Sequence, residues 1–276
     1  MKTLVLGEVV GRAGFTAVKN GLKTIKDIDV VIANGEGISN GYGITKLNAI
    51  NLMKCGVDVI TCGEKTFYKK DMLDFIKETS KVLRPYNYPI ADTVGKGIKF
   101  IKIGETNIAI INILGVQDMH PILNNPFTAL DYTLNKIKET CPVVIVIFHA
   151  SASAEKQTMF HYLDGKVTAV IGTHTKVLTA DSVVSEKHTA YITDNGRCGS
   201  TLSVGGFDAE NEIKKQRTNL PVRSKECFDD VELQGVIVEF NEKGEALSIS
   251  PIKQSVSFDP KIFEKKENII EKNKLS

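Results

Sequence analysis

The chain has 276 residues, with 35 Lys and Arg against 33 Asp and Glu, and its 42% hydrophobic content supports a sizeable core in one large domain or two small ones. The net charge of +2 makes no global case for a nucleic-acid or acidic-membrane partner. Five widely spaced cysteines without a CxxC pair, an N-terminal apolar run cut short by Glu8, and no stretch near the ~18 apolar residues of a membrane span point to a cytoplasmic protein with reduced thiols.

In chain order, Thr3 to Leu6 reads as a strand, Ala17 to Lys26 as a helix, Asp29 to Ala33 as a strand, Lys46 to Lys54 as a helix and Val57 to Cys62 as a strand. Residues 69–79 suggest another helix. Strands follow at 98–103 and 107–113, then a helix at about 127–139. The almost wholly apolar run 142–148 predicts a central strand covered on both faces. Strands at 167–171 and near 189–193 come next, and an antiparallel pair, 231–240 and 246–253, turns through Asn241-Glu242-Lys243-Gly244. The alternation argues for an α/β fold with a mixed or parallel sheet. Without a repeat or a linker, one domain over residues 1–255 is expected, followed by a charged tail, 256–276. Lys261 to Leu275 reads as a solvated, frayed amphipathic helix, with a docking helix as the sharper alternative.

Ligands of open α/β sheets bind beyond the carboxyl ends of the strands. Those ends carry Gly7-Glu8, Asn34-Gly35-Glu36-Gly37, Gly63-Glu64-Lys65-Thr66, His149-Ala150 and Gly172-Thr173-His174-Thr175-Lys176. Three carboxylates, two imidazoles and two ammoniums are thereby delivered to one edge. A lone buried histidine is most often a satisfied core residue, but this convergence points to a common site. Imidazole with carboxylate suits zinc, iron or manganese, and a pair of such ions can activate water against a phosphoryl group.

These segments, with Leu83-Arg84-Pro85, Gly95-Lys96-Gly97, Thr179-Ala180-Asp181, Tyr191-Ile192-Thr193-Asp194 and Thr218-Asn219-Leu220-Pro221-Val222-Arg223, resemble the bacterial 2′,3′-cyclic-nucleotide phosphodiesterases of the calcineurin-like metallophosphoesterase superfamily. The resemblance runs over roughly residues 3–255. It implies central mixed β-sheets flanked by helices, a four-layer αββα sandwich, and a homo-oligomer. It also implies one metal at the positions of Glu8, Glu36 and Lys176, and a second at those of Glu36, Glu64, His149 and His174. Four segments depart from the family pattern. Gly7-Glu8 replaces Gly-Asp, Gly35-Glu36-Gly37 replaces Gly-Glu-Asn, Gly63-Glu64-Lys65 replaces Gly-Asn-His, and Lys176 replaces the last histidine of Gly-Thr-His-Thr-His. Lys65 thus stands where the resemblance implies the catalytic histidine.

Lysine is a poor metal ligand at neutral pH because its amine is protonated. The expectation is therefore a degraded centre, with the Lys176 ammonium in the first metal's space, paired with Glu8 and Glu36. Glu36, Glu64, His149 and His174 are then left to hold one divalent manganese, iron or zinc ion, or none. An inactive or strongly impaired homologue acting by binding or scaffolding follows. The alternative is a metal-dependent phosphodiesterase acting on 2′,3′-cyclic nucleotides or related phosphodiesters through a mononuclear centre, and a third reading has Lys65 and Lys176 holding a nucleotide phosphate without hydrolysis. A desolvated Lys65 with a lowered pKa would restore a proton donor.

Other signals carry less. Gly7, Gly11 and Gly14 imitate a dinucleotide-binding loop with the wrong spacing. Ser151 and Ser153 read as caps of a helix beginning near Glu155 rather than as nucleophiles. His120, His161 and His188 read as surface or structural, and Cys62 as a small buried hydrophobe. Lys214, Lys215, Arg217, Arg223 and Lys225 form a solvated basic face, with nucleotide or RNA contact as the functional alternative.

Overall fold

The computed structural model describes residues 1–89 and 93–258. Seven strands form the first sheet, in the order β13 (Ala246–Ser255), β12 (Val231–Phe240), β11 (Arg197–Ser200), β1 (Lys2–Val9), β2 (Val30–Asn34), β3 (Val59–Thr61) and β4 (Val82–Leu83). Six strands form the second, in the order β5 (Ile98–Ile103), β6 (Thr106–Leu114), β7 (Val143–His149), β8 (Ala169–Thr173), β10 (Ala190–Ile192) and β9 (Val183–Val184). Each sheet has a parallel centre, β11-β1-β2-β3-β4 and β6-β7-β8-β10, with antiparallel strands at one or both edges.

The core explains the stacking. Val5, Val30, Ile32 and Val59 of the first sheet meet Ile108, Ile145, Ile147 and Ile171 of the second in one dry cluster. Helices α1 (Gly11–Gly21), α2 (Lys46–Lys54) and α3 (Lys70–Glu78) cover the outer face of the first sheet through Ala17, Leu52, Met72 and Ile76. Helices α4 (Pro126–Ile137) and α5 (Ser153–Leu163) cover the second through Leu130, Met159 and Leu163. Helix, sheet, sheet and helix make the expected four layers. All seven residues of β7 are buried, as its unbroken apolar run predicts.

Local chemistry sets the helix boundaries. The Thr45 hydroxyl accepts from Asn48 N at the start of α2, and Asn125 caps α4 ahead of Pro126. Helix α1 runs from Gly11, not Ala17, and ends at Gly21, because the Glu226 carboxylate accepts from the Arg12 amide at 3.2 Å. Gly14 belongs to that helix. A Cβ there would strike the Cys198 carbonyl, so the glycine serves close packing of α1 on β11. Helix α5 starts at Ser153 without a side-chain cap, contrary to the capping role expected of Ser151 and Ser153. Its first-turn Glu155 is buried and accepts from Val116 N at 2.8 Å.

A sixth helix, α6 (Ala209–Thr218), is absent from the sequence reading; Asp208 caps it and none of its residues is buried. It carries the exposed Lys214 and Arg217, while Lys215 pairs with Glu212 at 2.9 Å. At the far end, Val256 donates to the Val231 carbonyl at 2.8 Å and Phe258 stacks on Phe228, so the first residues assigned to the tail pack against the first sheet. The helix expected over 261–275 lies outside the described residues. Among the described residues, no helix is long and apolar enough to cross a membrane.

Candidate functional site

The carboxyl ends of both sheets meet at one polar edge, and it contains all seven residues expected there. Glu8 is the penultimate residue of β1, where the pairing register with β2 slips, and its amide donates to the Gly196 carbonyl at 3.0 Å. Glu36 follows β2 in a tight Asn turn, its amide donating to Asn34 Oδ1 at 3.0 Å. The Glu36 carboxylate then accepts from the Gly63 amide after β3. Gly63 is required there, since a Cβ would collide with both the His149 ring and Glu36. Glu64 and Lys65 come next in the same turn, His149 ends β7, and His174 and Lys176 lie in the turn after β8.

The charges pair in two groups. Lys176 Nζ lies 3.2 Å from Glu8 Oε1. Lys65 Nζ lies 3.2 Å from Glu64 Oε1 and 3.8 Å from Glu36 Oε1. Glu36 is therefore met by Lys65, not by Lys176 as expected; the turn after β3 already binds the Glu36 carboxylate and carries Lys65 beside it. On the other side of Glu64, Oε2 is 3.1 Å from His149 Nε2, which is 3.0 Å from His174 Nδ1. His149 Nδ1 is held from behind, 2.9 Å from Thr173 Oγ1 and 3.1 Å from Asn34 Nδ2.

Burial pushes the Glu36 carboxyl up to about 8, against the pull of His149 and with help from Glu64 and Glu8. Burial also acts on Glu64, but its bond to His149 and the charges of His149 and Lys65 hold it well below the usual carboxylate range. Burial would lower Lys65, yet Glu36, Glu64 and Glu8 together raise it above its ordinary value, the reverse of the lowered lysine that proton donation would need. His149 is likewise raised against burial, chiefly by Glu36 and Glu64. His174 is lowered to about 3 by burial and by its neighbour His149.

Glu64, His149 and His174 each offer one ligand atom, and these lie within 4.8 Å of one another. One carboxylate and two imidazoles fit a single divalent transition metal. The Glu8 side does not fit a second. Glu8 Oε1 and Glu36 Oε1 are buried without a hydrogen bond, as oxygens awaiting a cation would be, but their cations are the ammoniums of Lys176 and Lys65.

The turn carrying His174 and Lys176 is strained. Both residues sit at positive φ, 102° and 62°, a region that costs a side-chain-bearing residue on the order of 1–3 kcal/mol. Sequence reasoning missed what holds it. Asp194, fully buried, accepts from Thr175 N at 2.9 Å and pairs with the fully buried Lys156 at 2.9 Å. Arg197 spends its guanidinium on backbone carbonyls, including that of Lys176 at 2.7 Å. Tyr88, T-stacked on Phe67, also went unnoticed; burial and the charges of Glu36 and Glu64 push its hydroxyl up to about 12. Asp194 carried a signal, a carboxylate just past an apolar strand. Lys156, in a polar helical stretch, carried none. His120, His161 and His188 are exposed, as expected.

The model of the YmdB-like protein family matches residues 4–252. A 2′,3′-cyclic-nucleotide 2′-phosphodiesterase of Bacillus subtilis is 38% identical over 246 residues, covering 88% of this chain and 92% of that protein. The crystal structure of a phosphatase from Mycoplasma pneumoniae superposes with a TM-score of 0.86 at 29% identity, over 96% of both chains. A hypothetical protein of Thermus thermophilus superposes with a TM-score of 0.87 at 34% identity, over 93% of this chain and all of that one.

Proposed function

The chain belongs to the YmdB-like protein family, and on that premise we propose that it is a phosphoester-binding member in which lysines have taken over charge that two metal ions would carry. The observation that carries this is the seating of two ammoniums on the site's carboxylates, Lys176 on Glu8 and Lys65 on Glu64, each at 3.2 Å. Two-metal hydrolysis needs one ion to orient water and another to stabilise the developing charge. It also needs a proton donor for the leaving oxygen. Lys176 disfavours the first ion, and a Lys65 with raised pKa is a weaker acid than a histidine. What remains suits recognition. Both lysine side chains are partly open to solvent, at 22% and 18%, and Glu36 keeps its proton to about pH 8. A phosphoryl oxygen is then met by ammonium rather than by an acidic well. The exposed Lys214, Arg217, Arg223 and Lys225 extend this reading to a longer nucleic-acid strand, because Gly205, four residues before α6, lies close enough to Lys176 that an added Cβ would touch its side chain.

The test uses full-length protein purified without chelator. Metal content by inductively coupled plasma mass spectrometry is expected at one equivalent or less after manganese, iron or zinc loading. Turnover of 2′,3′-cyclic nucleotides is expected at the buffer rate, with calorimetric heat from nucleoside 2′-monophosphates. The combined Lys65→His, Lys176→His and Glu64→Asn variant is expected to gain metal and turnover. Two metals per wild-type chain would sink the proposal.

A second reading, a mononuclear metal-dependent phosphodiesterase, is favoured by the donor cluster of Glu64, His149 and His174. One metal per chain with cyclic-nucleotide turnover, both lost in His174→Ala, would establish it in place of the first.

A further inference from the structure

We propose that Asp194, neutralised by Lys156, is a positioning residue that fixes the turn bearing His174 and Lys176; the functional part of this inference rests on the reading of that turn as the binding site. Lys156 reaches inward from α5, and both charged groups are fully buried. A buried pair of this kind gives a fold little that well-packed apolar residues would not. What a carboxylate alone supplies is two acceptors. Asp194 Oδ2 takes the Thr175 amide at 2.9 Å and Oδ1 takes the Gly196 amide at 3.1 Å. Thr175 is flanked by the two strained residues, so its amide, like the Lys176 carbonyl that Arg197 binds, is a handle by which the turn is held without touching either functional side chain.

The backbone around Asp194 grips the same turn at both ends. Asn195 N donates to the Gly172 carbonyl at 3.0 Å, and Thr179 N donates to the Asp194 carbonyl at 3.1 Å. On its far side the segment accepts from Glu8, through the Gly196 carbonyl at 3.0 Å. One short segment, 194–197, therefore sets Lys176 against Glu8 and His174 against His149. Lys156 Nζ supplies the counter-charge to that carboxylate at 2.9 Å.

The chain has five histidines, so the imidazole region of its NMR spectrum is sparse. The rings of His149 and His174 stand edge to face with centroids 4.8 Å apart, and their mutual nuclear Overhauser contact reports the turn directly. Lys156→Met keeps both acceptor oxygens but strands a buried charge. Its melting temperature is expected to drop while the His149–His174 contact persists. Lys156→Met with Asp194→Asn removes both charges but leaves one acceptor for two amides. It is expected to melt above the single variant yet lose the contact, with His120, His161 and His188 unmoved. Affinity for inorganic phosphate, by calorimetry, is expected to fall about tenfold in the double variant and little in the single one.

Contact loss that simply tracks melting temperature in both variants, or a double variant with wild-type contact and affinity, overturns the positioning role. If the double variant does not fold, Asp194→Asn alone takes its place with the same expectation; failure of every variant to fold would make the pair a folding determinant only. If wild-type protein binds no phosphate, the reading of the site falls, and the ring contact still decides the role of Asp194.

Discussion

The two halves of the site are built from the same kind of strand end and differ in what meets the carboxylate. On the Glu8 side the cation is an ammonium covalently part of the chain. On the Glu64 side the Lys65 ammonium meets one carboxylate oxygen, while two imidazoles converge on the other and leave a donor set open to an added ion. Glu36 stands between them, bound to the Gly63 amide and leaning toward Lys65. The carboxylates keep their places in both halves because backbone groups hold them: Gly63 N on the Glu36 carboxylate, and the Gly196 carbonyl on the Glu8 amide. The charge of such a site can therefore be rebalanced at turn positions without disturbing the strands.

That contrast can be broken most directly by removing one side chain from each half. Lys176→Met leaves Glu8, 2% exposed, without its partner and is expected to cost about 3 kcal/mol in denaturant unfolding. His174→Ala removes a ring that is 26% exposed and strands no charge, and should cost less than about 1 kcal/mol. Equal losses would erase the distinction between the halves. Zinc sharpens it. A ligand at a hundredfold excess over its dissociation constant adds about 2.7 kcal/mol to the folded state. Zinc should accordingly raise the melting temperature of wild-type and Lys176→Met protein, but not of His174→Ala. No rise in wild type would mean that the Glu64 half is closed as well.

A separate, pH-dependent effect concerns Glu36. Its folded carboxyl is pushed from 4.5 to about 8, so its contribution to stability is complete below the unfolded value and is lost as pH rises through the folded one. Chelator-treated protein should therefore melt at progressively lower temperature between about pH 4.5 and 8, and Glu36→Gln should flatten that slope. A wild-type slope already flat would mean that Lys65 keeps the carboxylate ionised throughout.

Much of this was legible in the residues. The apolar period gave α2 to the residue, and the unbroken run 142–148 gave the central strand. The polar residues just past each strand located the site, because a side chain at a strand end has one place to go. Three features were hidden for physical reasons. Helix α1 takes its start from Glu226, some 214 positions away, so no local signal marks it. Lys156 reads as a solvated residue, because only tertiary pairing with Asp194 makes its burial tolerable. The pairing of Glu36 with Lys65 depended on which turn folded over which, and that is set by the Gly63 amide rather than by residue type.

The place of β1 has a consequence for how the chain is made. The second sheet is drawn from one continuous stretch, residues 98–192, and has all its strands as soon as that stretch has emerged. The first sheet must wait. Strand β1 is flanked by β2 on one side and by β11 and β12 on the other, and β12 follows the end of β2 by roughly 200 residues. At ~5–20 residues per second that is a delay of about 10–40 s. Through it the nascent N-terminal strands keep an open edge beside the ribosome, and the polar centre, which draws on both sheets, is not complete until the segment around Gly196 has emerged to meet Glu8.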